Sequence, residues 1–118
     1  MRLPRMTTRR WMVAVAALSL ALGKMLADGK LLENPLLNAV AAVSVGIVND
    51  QPLLDLCYTE DAAASVDLNL VMNAVGDFIE LQGTGEEATF SEAQLGEMLA
   101  LGKVGIRELL AAQQAALE

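Results

Sequence analysis

The sequence predicts an α+β fold in which a helix precedes a sheet of about four strands and a long helix follows it. Three observations predict this order. A proline-free run rich in Ala and Leu covers residues 11–27, the residues from Val66 alternate between two faces with apolar residues at every second position, and apolar residues recur at helical spacing over residues 92–116. With 118 residues, 54% of them hydrophobic, the chain has room for one small domain with a modest core.

The run over residues 11–27 predicts a helix, and Gly29 is a plausible stop signal behind it. An alternative is a secretory or twin-arginine export signal, because Arg9 and Arg10 precede the apolar run and small residues follow it. The run continues into G-K-M-L-A-D-G-K-L-L-E-N-P without a change of character, which favours a helix of the folded domain. It is too short and interrupted for a membrane span.

Two strands are predicted next, joined by a tight hairpin. Residues 39–48 are apolar and β-branched on both faces, which is typical of a central, covered strand. Asn49 and Asp50 form the hairpin turn into a second strand over residues 52–58.

A second hairpin is predicted from residue 65. Its first strand covers residues 65–73, and a turn around Gly76 leads into residues 78–82. Gly83 and Gly85 are expected to end the sheet.

Asp61 and Asp67 are the candidate functional residues. Alternation places Val66 and Leu68 towards the core and Asp67 and Asn69 on the opposite side of the strand. Asp61 is expected to end the preceding strand, so a tight connection could bring its carboxylate beside that of Asp67. Two such carboxylates are a hard oxygen site for Mg²⁺, which keeps several waters and takes further ligands from phosphate. Spacing alone leaves open that both are solvated strand-end residues.

The last helix has a clear start and a long apolar stripe. Ser91 is a good N-cap with Gln94 at the reciprocal capping-box position, and the helix is expected to run to about Ala116. Gly102 and Gly105 permit a close approach of this helix to the sheet.

Composition excludes several kinds of site. The sequence has no His, so imidazole bases, His metal sites and Ser-His-Asp triads are excluded, and its 3% aromatic residues offer no platform for stacking bases. The single cysteine, Cys57, cannot form an internal disulfide and is expected to be a packed, unreactive side chain.

Residues 1–30 carry six basic residues against one acid, whereas residues 31–118 carry two against fourteen. The acidic part repels a phosphate backbone unless a metal or another chain supplies positive charge.

Three groups of motifs carry a resemblance to a known family. L-D-L-C-Y-T-E-D-A-A-A-S-V-D-L-N-L-V-M followed by F-I-E-L-Q-G-T-G-E resembles the C-terminal half of the ribonuclease PH family. G-K-L-L-E-N-P-L with V-A-A-V-S-V-G-I-V upstream, and S-E-A-Q-L-G-E-M-L-A-L-G-K-V-G-I-R-E-L-L-A-A-Q downstream, are similar to the same family in the same order. The resemblance covers residues 11–118 and leaves residues 1–10 as an unmatched basic segment.

The resemblance implies a partial domain of the ribonuclease PH-like fold, which is also the fold of domain 2 of ribosomal protein S5, with residues 11–27 as a buried helix. It implies a cytoplasmic, phosphorolytic 3′→5′ exoribonuclease that trims tRNA precursors, with rRNA as an alternative substrate, and uses inorganic phosphate to release nucleoside diphosphates. Asp61 and Asp67 match the family pattern E-D-x-x-x-x-x-D and are expected to bind Mg²⁺ or Mn²⁺ and to act in catalysis. Family members form hexamers built from dimers.

One motif departs from the family. Residues 6–10 read M-T-T-R-R where the family has a G-G-T-R-T-like phosphate-binding segment, so no phosphate-binding role is assigned to them. A truncated chain with impaired activity is therefore expected. The alternatives are a non-catalytic ring subunit that keeps only fold and oligomer contacts, and an exported acidic metal-binding module.

Overall fold

The computed structural model describes residues 8–86 and 88–118, which form three helices and four strands. The elements in chain order are α1 (Thr8–Ala27), β1 (Val40–Val48), β2 (Gln51–Leu54), α2 (Tyr58–Ala63), β3 (Val66–Asn73), β4 (Phe78–Gly85) and α3 (Glu92–Leu117). The predicted α+β order is confirmed, with the short helix α2 as an addition.

The four strands form one antiparallel sheet in the order β2-β1-β3-β4. The predicted hairpin turn between β1 and β2 is confirmed, since Val48 pairs with Gln51 and only two residues lie between them. Those residues, Asn49 and Asp50, have φ values of 49° and 61°. This left-handed conformation suits the twist of a two-residue hairpin and is tolerated best by Asn, Asp and Gly.

The core lies between α3 and one face of the sheet. The alternation predicted for β3 is confirmed, because Val66, Leu68, Leu70 and Met72 are all buried there. The close helix-to-sheet approach is confirmed as well, since a Cβ on Gly102 would lie 2.7 Å from Leu70 Cδ2. The core residues are Ala41, Val43, Val45, Ile47, Val66, Leu68, Leu70, Met72, Met98 and Ile106.

The start of α3 is the predicted capping box. The Gln94 N–H donates to Ser91 Oγ at 3.1 Å, and the Ser91 N–H donates to Gln94 Oε1 at 2.8 Å. Two otherwise unsatisfied N–H groups are thereby paired, which fixes the first turn of the helix.

Two predicted strand ends are wrong. β2 ends at Leu54 instead of residue 58, because Asp55 takes a left-handed conformation (φ 57°) and turns the chain away from the strand direction. β4 continues to Gly85 instead of ending at residue 82. Gly83 does not break the sheet, since it pairs with Leu68 and leaves space for that side chain, whose Cδ1 would lie 2.9 Å from an added Cβ.

The predicted N-terminal helix is confirmed as α1, which begins three residues earlier than expected and packs against α3 and β1. The expectation of a buried helix is wrong for this chain, because Leu18 and Leu20 are more than half exposed. Residues 1–7, and with them most of the unmatched segment 1–10, lie outside the described residues. Within the described part of the chain, no helix combines the length and apolar character needed to cross a membrane.

Candidate functional site

Asp67 is the second residue of the inner strand β3, on the face opposite the core. Its neighbours along β3, Val66 and Leu68, are buried against α3, so the Asp67 side chain projects to the other side. Asp67 pairs with Gly46 on β1 and with Thr84 on β4. Asp67 is nevertheless buried, with 5% exposure of the residue, although the core does not cover it.

The segment that contains α2 covers this face of the sheet. A Cβ on Gly46 would lie 2.6 Å from Leu56 Cδ1 and 3.6 Å from Ala64 Cβ, so the residues on both sides of α2 pack against Gly46. Directly opposed residues of antiparallel strands point to the same face. Since Gly46 and Asp67 are opposed, α2 lies on the side of the sheet to which Asp67 projects.

Asp61 is in α2, so the expectation that it ends a strand is wrong. Its N–H donates to the Cys57 carbonyl oxygen at 2.8 Å, the first helical hydrogen bond of this element, and its side chain is half-buried. The structure thus places Asp61 and Asp67 on the same side of the sheet but on different elements. Their shared role in metal binding and catalysis stays a prediction.

The residues just before Asp61 explain why a helix forms here. The Glu60 carboxylate accepts a hydrogen bond from the Cys57 N–H at 2.8 Å, which satisfies a donor at the helix N-terminus. The structure therefore gives Glu60 a capping role. Cys57 is exposed, and the expectation of a packed cysteine is wrong, because the turn at Asp55 carries the chain out of the sheet before residue 57.

Sequence reasoning did not identify the neighbours of Asp67 on this face. The predicted position of Asn69 is confirmed, and the register sets Ser44 and Gln82 on either side of it, on β1 and β4. Asp67 is flanked in the same way by Gly46 and Thr84. Periodicity indicates which face a residue occupies, but it carries no information on which residue of another strand is opposite.

The donor chemistry of the two aspartates fits a hard divalent cation. Among residues 8–86 and 88–118, no three Cys, Asp or Glu side chains are grouped closely enough to hold an ion by themselves. Mg²⁺ commonly binds through one or two carboxylates and completes its shell with water and substrate phosphate. Asp61 and Asp67 are the residues of this face that would hold such an ion.

Comparison with known proteins agrees with this fold. Residues 38–105, which contain the whole sheet, α2 and the first half of α3, match the 3′ exoribonuclease family, domain 2. The solved structure of rice (Oryza sativa) Rrp46 superposes on this chain with a TM-score of 0.63. The superposed part is 94% of this chain and 49% of the Rrp46 chain. At 17% identity, this likeness shows the shared fold alone.

Curated relatives are much closer in sequence. Ribonuclease PH of Neisseria meningitidis is 56% identical over 104 residues, which are 88% of this chain and 43% of the relative. Ribonuclease PH of Exiguobacterium sibiricum is 55% identical over 101 residues, and that of Bacillus pumilus is 50% identical over 103. The chain thus spans less than half the length of these curated relatives. The match over residues 38–105 shows that the chain belongs to the 3′ exoribonuclease family.

Proposed function

We propose that this chain carries the carboxylate part of a phosphate-dependent 3′→5′ exoribonuclease site that trims the 3′ ends of tRNA precursors. The observation that carries the proposal is the buried residue Asp67, which projects from the inner strand β3 to the side of the sheet on which α2 holds Asp61. Family membership and the name of the curated relatives support the reaction class.

Phosphorolysis requires two anions to meet. An oxygen of inorganic phosphate attacks the terminal phosphorus of the RNA, the bond to the 3′-oxygen breaks, and a nucleoside diphosphate leaves while the 3′-oxygen takes up a proton. Residues 31–118 repel both anions, since they carry two basic residues against fourteen acids. Asp61 and Asp67 would hold Mg²⁺ or Mn²⁺ there, and the bound ion would offset charge at the reacting phosphates.

Anion-binding groups are the second requirement, and this chain offers few of them outside residues 1–30. We therefore propose that other chain segments or neighbouring subunits supply the arginines that bind phosphate and RNA. The assembly we propose is a cytoplasmic ring built from dimers. On this basis, turnover by the isolated chain is low.

The test is to incubate the purified chain with a 3′-extended tRNA, Mg²⁺ and inorganic phosphate, and to measure nucleoside diphosphate release. We expect slow release that depends on phosphate and is lost in Asp67→Asn. Asp77→Asn is the matched control, because Asp77 is an exposed residue in the turn before β4 and the same chemical change there removes no predicted ligand. Equal release by Asp67→Asn and wild type, or release of nucleoside monophosphates without phosphate, would contradict the proposal.

A second candidate is a non-catalytic subunit that keeps only the fold and its oligomer contacts. It is favoured by the exposed apolar residues of β4, where Phe78, Ile79 and Leu81 are each about half exposed. Folded, self-associating protein with no phosphate-dependent release under any of these conditions would support this second candidate.

A further inference from the structure

Both ends of the segment that contains α2 are tied to β1 by hydrogen bonds. At the first end, the Asp55 N–H donates to the Ser44 carbonyl oxygen at 2.7 Å, and the Leu56 N–H donates to Ser44 Oγ at 3.2 Å. At the other end, the Ser65 N–H and hydroxyl both donate to the Ile47 carbonyl oxygen, at 2.9 and 3.2 Å. The segment is therefore attached to the strand that pairs with β3, in the neighbourhood of Asp67.

The two attachments differ in how much they depend on a side chain. The bond from Asp55 goes to a backbone oxygen, which any residue at position 44 would provide. The bond from Leu56 goes to the Ser44 hydroxyl, so removal of that hydroxyl removes the bond. At position 65 the hydroxyl adds a second donor to an oxygen that already accepts the Ser65 N–H, so its loss leaves that oxygen paired.

Leu56 is also the residue whose side chain fills the space over Gly46. Leu56 Cδ1 would lie 2.6 Å from a Cβ at that position, so the leucine occupies the space that the glycine leaves. The hydrogen bond to the Leu56 N–H therefore fixes the direction in which the chain leaves β2. It also fixes the position of the α2 segment on the face of the sheet that carries Asp67.

We infer that Ser44 is a positioning residue for Asp61. Its hydroxyl accepts a hydrogen bond from Leu56, and the Leu56 side chain packs the α2 segment against Gly46. The α2 helix then holds Asp61 on the side of the sheet to which Asp67 projects. This inference rests on the proposed function, because it assigns Ser44 a part in building the metal site formed by Asp61 and Asp67.

The experiment measures two properties of Ser44→Ala, Ser44→Thr and Ser65→Ala by NMR: amide hydrogen exchange at Leu56 and Asp61, and Mn²⁺ affinity from paramagnetic broadening. In Ser44→Ala we expect exchange at both amides to rise and Mn²⁺ affinity to fall, each by roughly three- to tenfold, which corresponds to one lost hydrogen bond. Ser44→Thr keeps a hydroxyl and should restore both values. Ser65→Ala removes a hydroxyl from the other end and should change them much less.

The results separate failure of the inference from failure of the proposed site. Wild-type exchange in Ser44→Ala, or unchanged Mn²⁺ affinity in Ser44→Ala when Asp67→Asn lowers it, would overturn the role of Ser44. Equal losses in Ser44→Ala and Ser44→Thr would also overturn it, since the hydroxyl would then be irrelevant. If Asp67→Asn binds Mn²⁺ as tightly as the wild type, the proposed site itself is wrong. Amide exchange alone then decides whether Ser44 holds α2.

Discussion

Gly46 is the residue on which the fit between the α2 segment and the sheet depends. An added Cβ would lie 2.6 Å from Leu56 Cδ1 and 2.6 Å from the Val66 carbonyl oxygen. The leucine can rotate away, but the carbonyl belongs to the backbone of β3, next to Asp67. Any larger residue at position 46 therefore displaces either the α2 segment or the strand.

We predict that Gly46→Ala lowers the free energy of unfolding by about 1–3 kcal/mol, the usual cost of overpacking a close-packed site. Gly96→Ala is the control, because Gly96 is exposed on α3 and an added Cβ meets nothing within 4 Å. It should raise the free energy of unfolding by about 0.5–1 kcal/mol through helix propensity. Urea denaturation followed by circular dichroism measures both, and an unchanged midpoint for Gly46→Ala would refute the steric account.

Asp67 and Asp61 differ in how far the sequence could locate them. The face of Asp67 follows from simple alternation, because β3 has buried apolar residues at every second position. The place of Asp61 depends on the positive φ of Asp55, which an aspartate adopts only where the surrounding structure favours it. Only the structure reveals that turn, and the sequence pattern by itself predicts a continuing strand.

At the scale of elements, α2 is the part of the fold that brings Asp61 to the sheet. It is six residues long, and none of them is buried, so packing alone cannot account for its stability. Its first turn depends on the hydrogen bond from the Cys57 N–H to Glu60. The Glu60 carboxylate is therefore engaged as a helix cap and is not counted among the ligands of the proposed metal site.

We predict that Glu60→Ala weakens Mn²⁺ binding by about three- to tenfold through loss of this cap, worth about 1 kcal/mol. Glu60→Gln should bind Mn²⁺ nearly as well as the wild type, because an amide oxygen still accepts the Cys57 N–H. Calorimetric titration compares the two. Equal weakening in both variants would show that the Glu60 charge matters, and the capping role would then be insufficient.

Helices and strands with a regular pattern could be predicted, and α2 could not. Ser91 and Gln94 mark the start of α3 by residue type, and the stripe behind them has clear helical spacing. Cys57 is an unusual N-cap residue, and Y-T-E-D-A-A is too short to show periodicity. The end of β4 does not follow from residue type, because Gly83 is a strand residue that packs closely against Leu68.

For the whole molecule, the main feature is apolar surface left exposed on the edge strand β4. Ile79 and Leu81 are 57% and 47% exposed there, and among the described residues β4 pairs with β3 alone. Exposed edges with apolar side chains favour pairing with another chain. Self-association of the isolated chain through this edge is the expected consequence.

We predict that Ile79→Lys lowers the self-association of the chain at least several-fold without lowering its stability, because a charge on an edge strand opposes pairing. Leu32→Lys is the control, since Leu32 is fully exposed in the connector between α1 and β1 and lies outside the sheet. Sedimentation velocity over a range of concentrations measures both. Equal effects of the two variants would point to general solubility instead of an interface at β4.

The architecture of the whole chain could be predicted because motifs and periodicity agreed. The resemblance to the ribonuclease PH family is confirmed by the match over residues 38–105, and the α+β order is confirmed by the structure. Periodicity could not give the strand order β2-β1-β3-β4, because pairing depends on contacts between distant segments. The exposure of α1 could not be predicted from its composition. An apolar helix predicts burial, but its sequence does not identify the element that packs over it.

The central claim is that Asp61 and Asp67 share one cation, and a double-mutant cycle of Mn²⁺ binding tests it most directly. Calorimetric titration of the wild type, Asp61→Asn, Asp67→Asn and the double variant gives four affinities, with Asp77→Asn as the control that should match the wild type. If the two carboxylates hold the same ion, each single variant loses most of the binding and the double variant loses little more. Two losses that simply add, or no loss in either single variant, would show that no ion is shared.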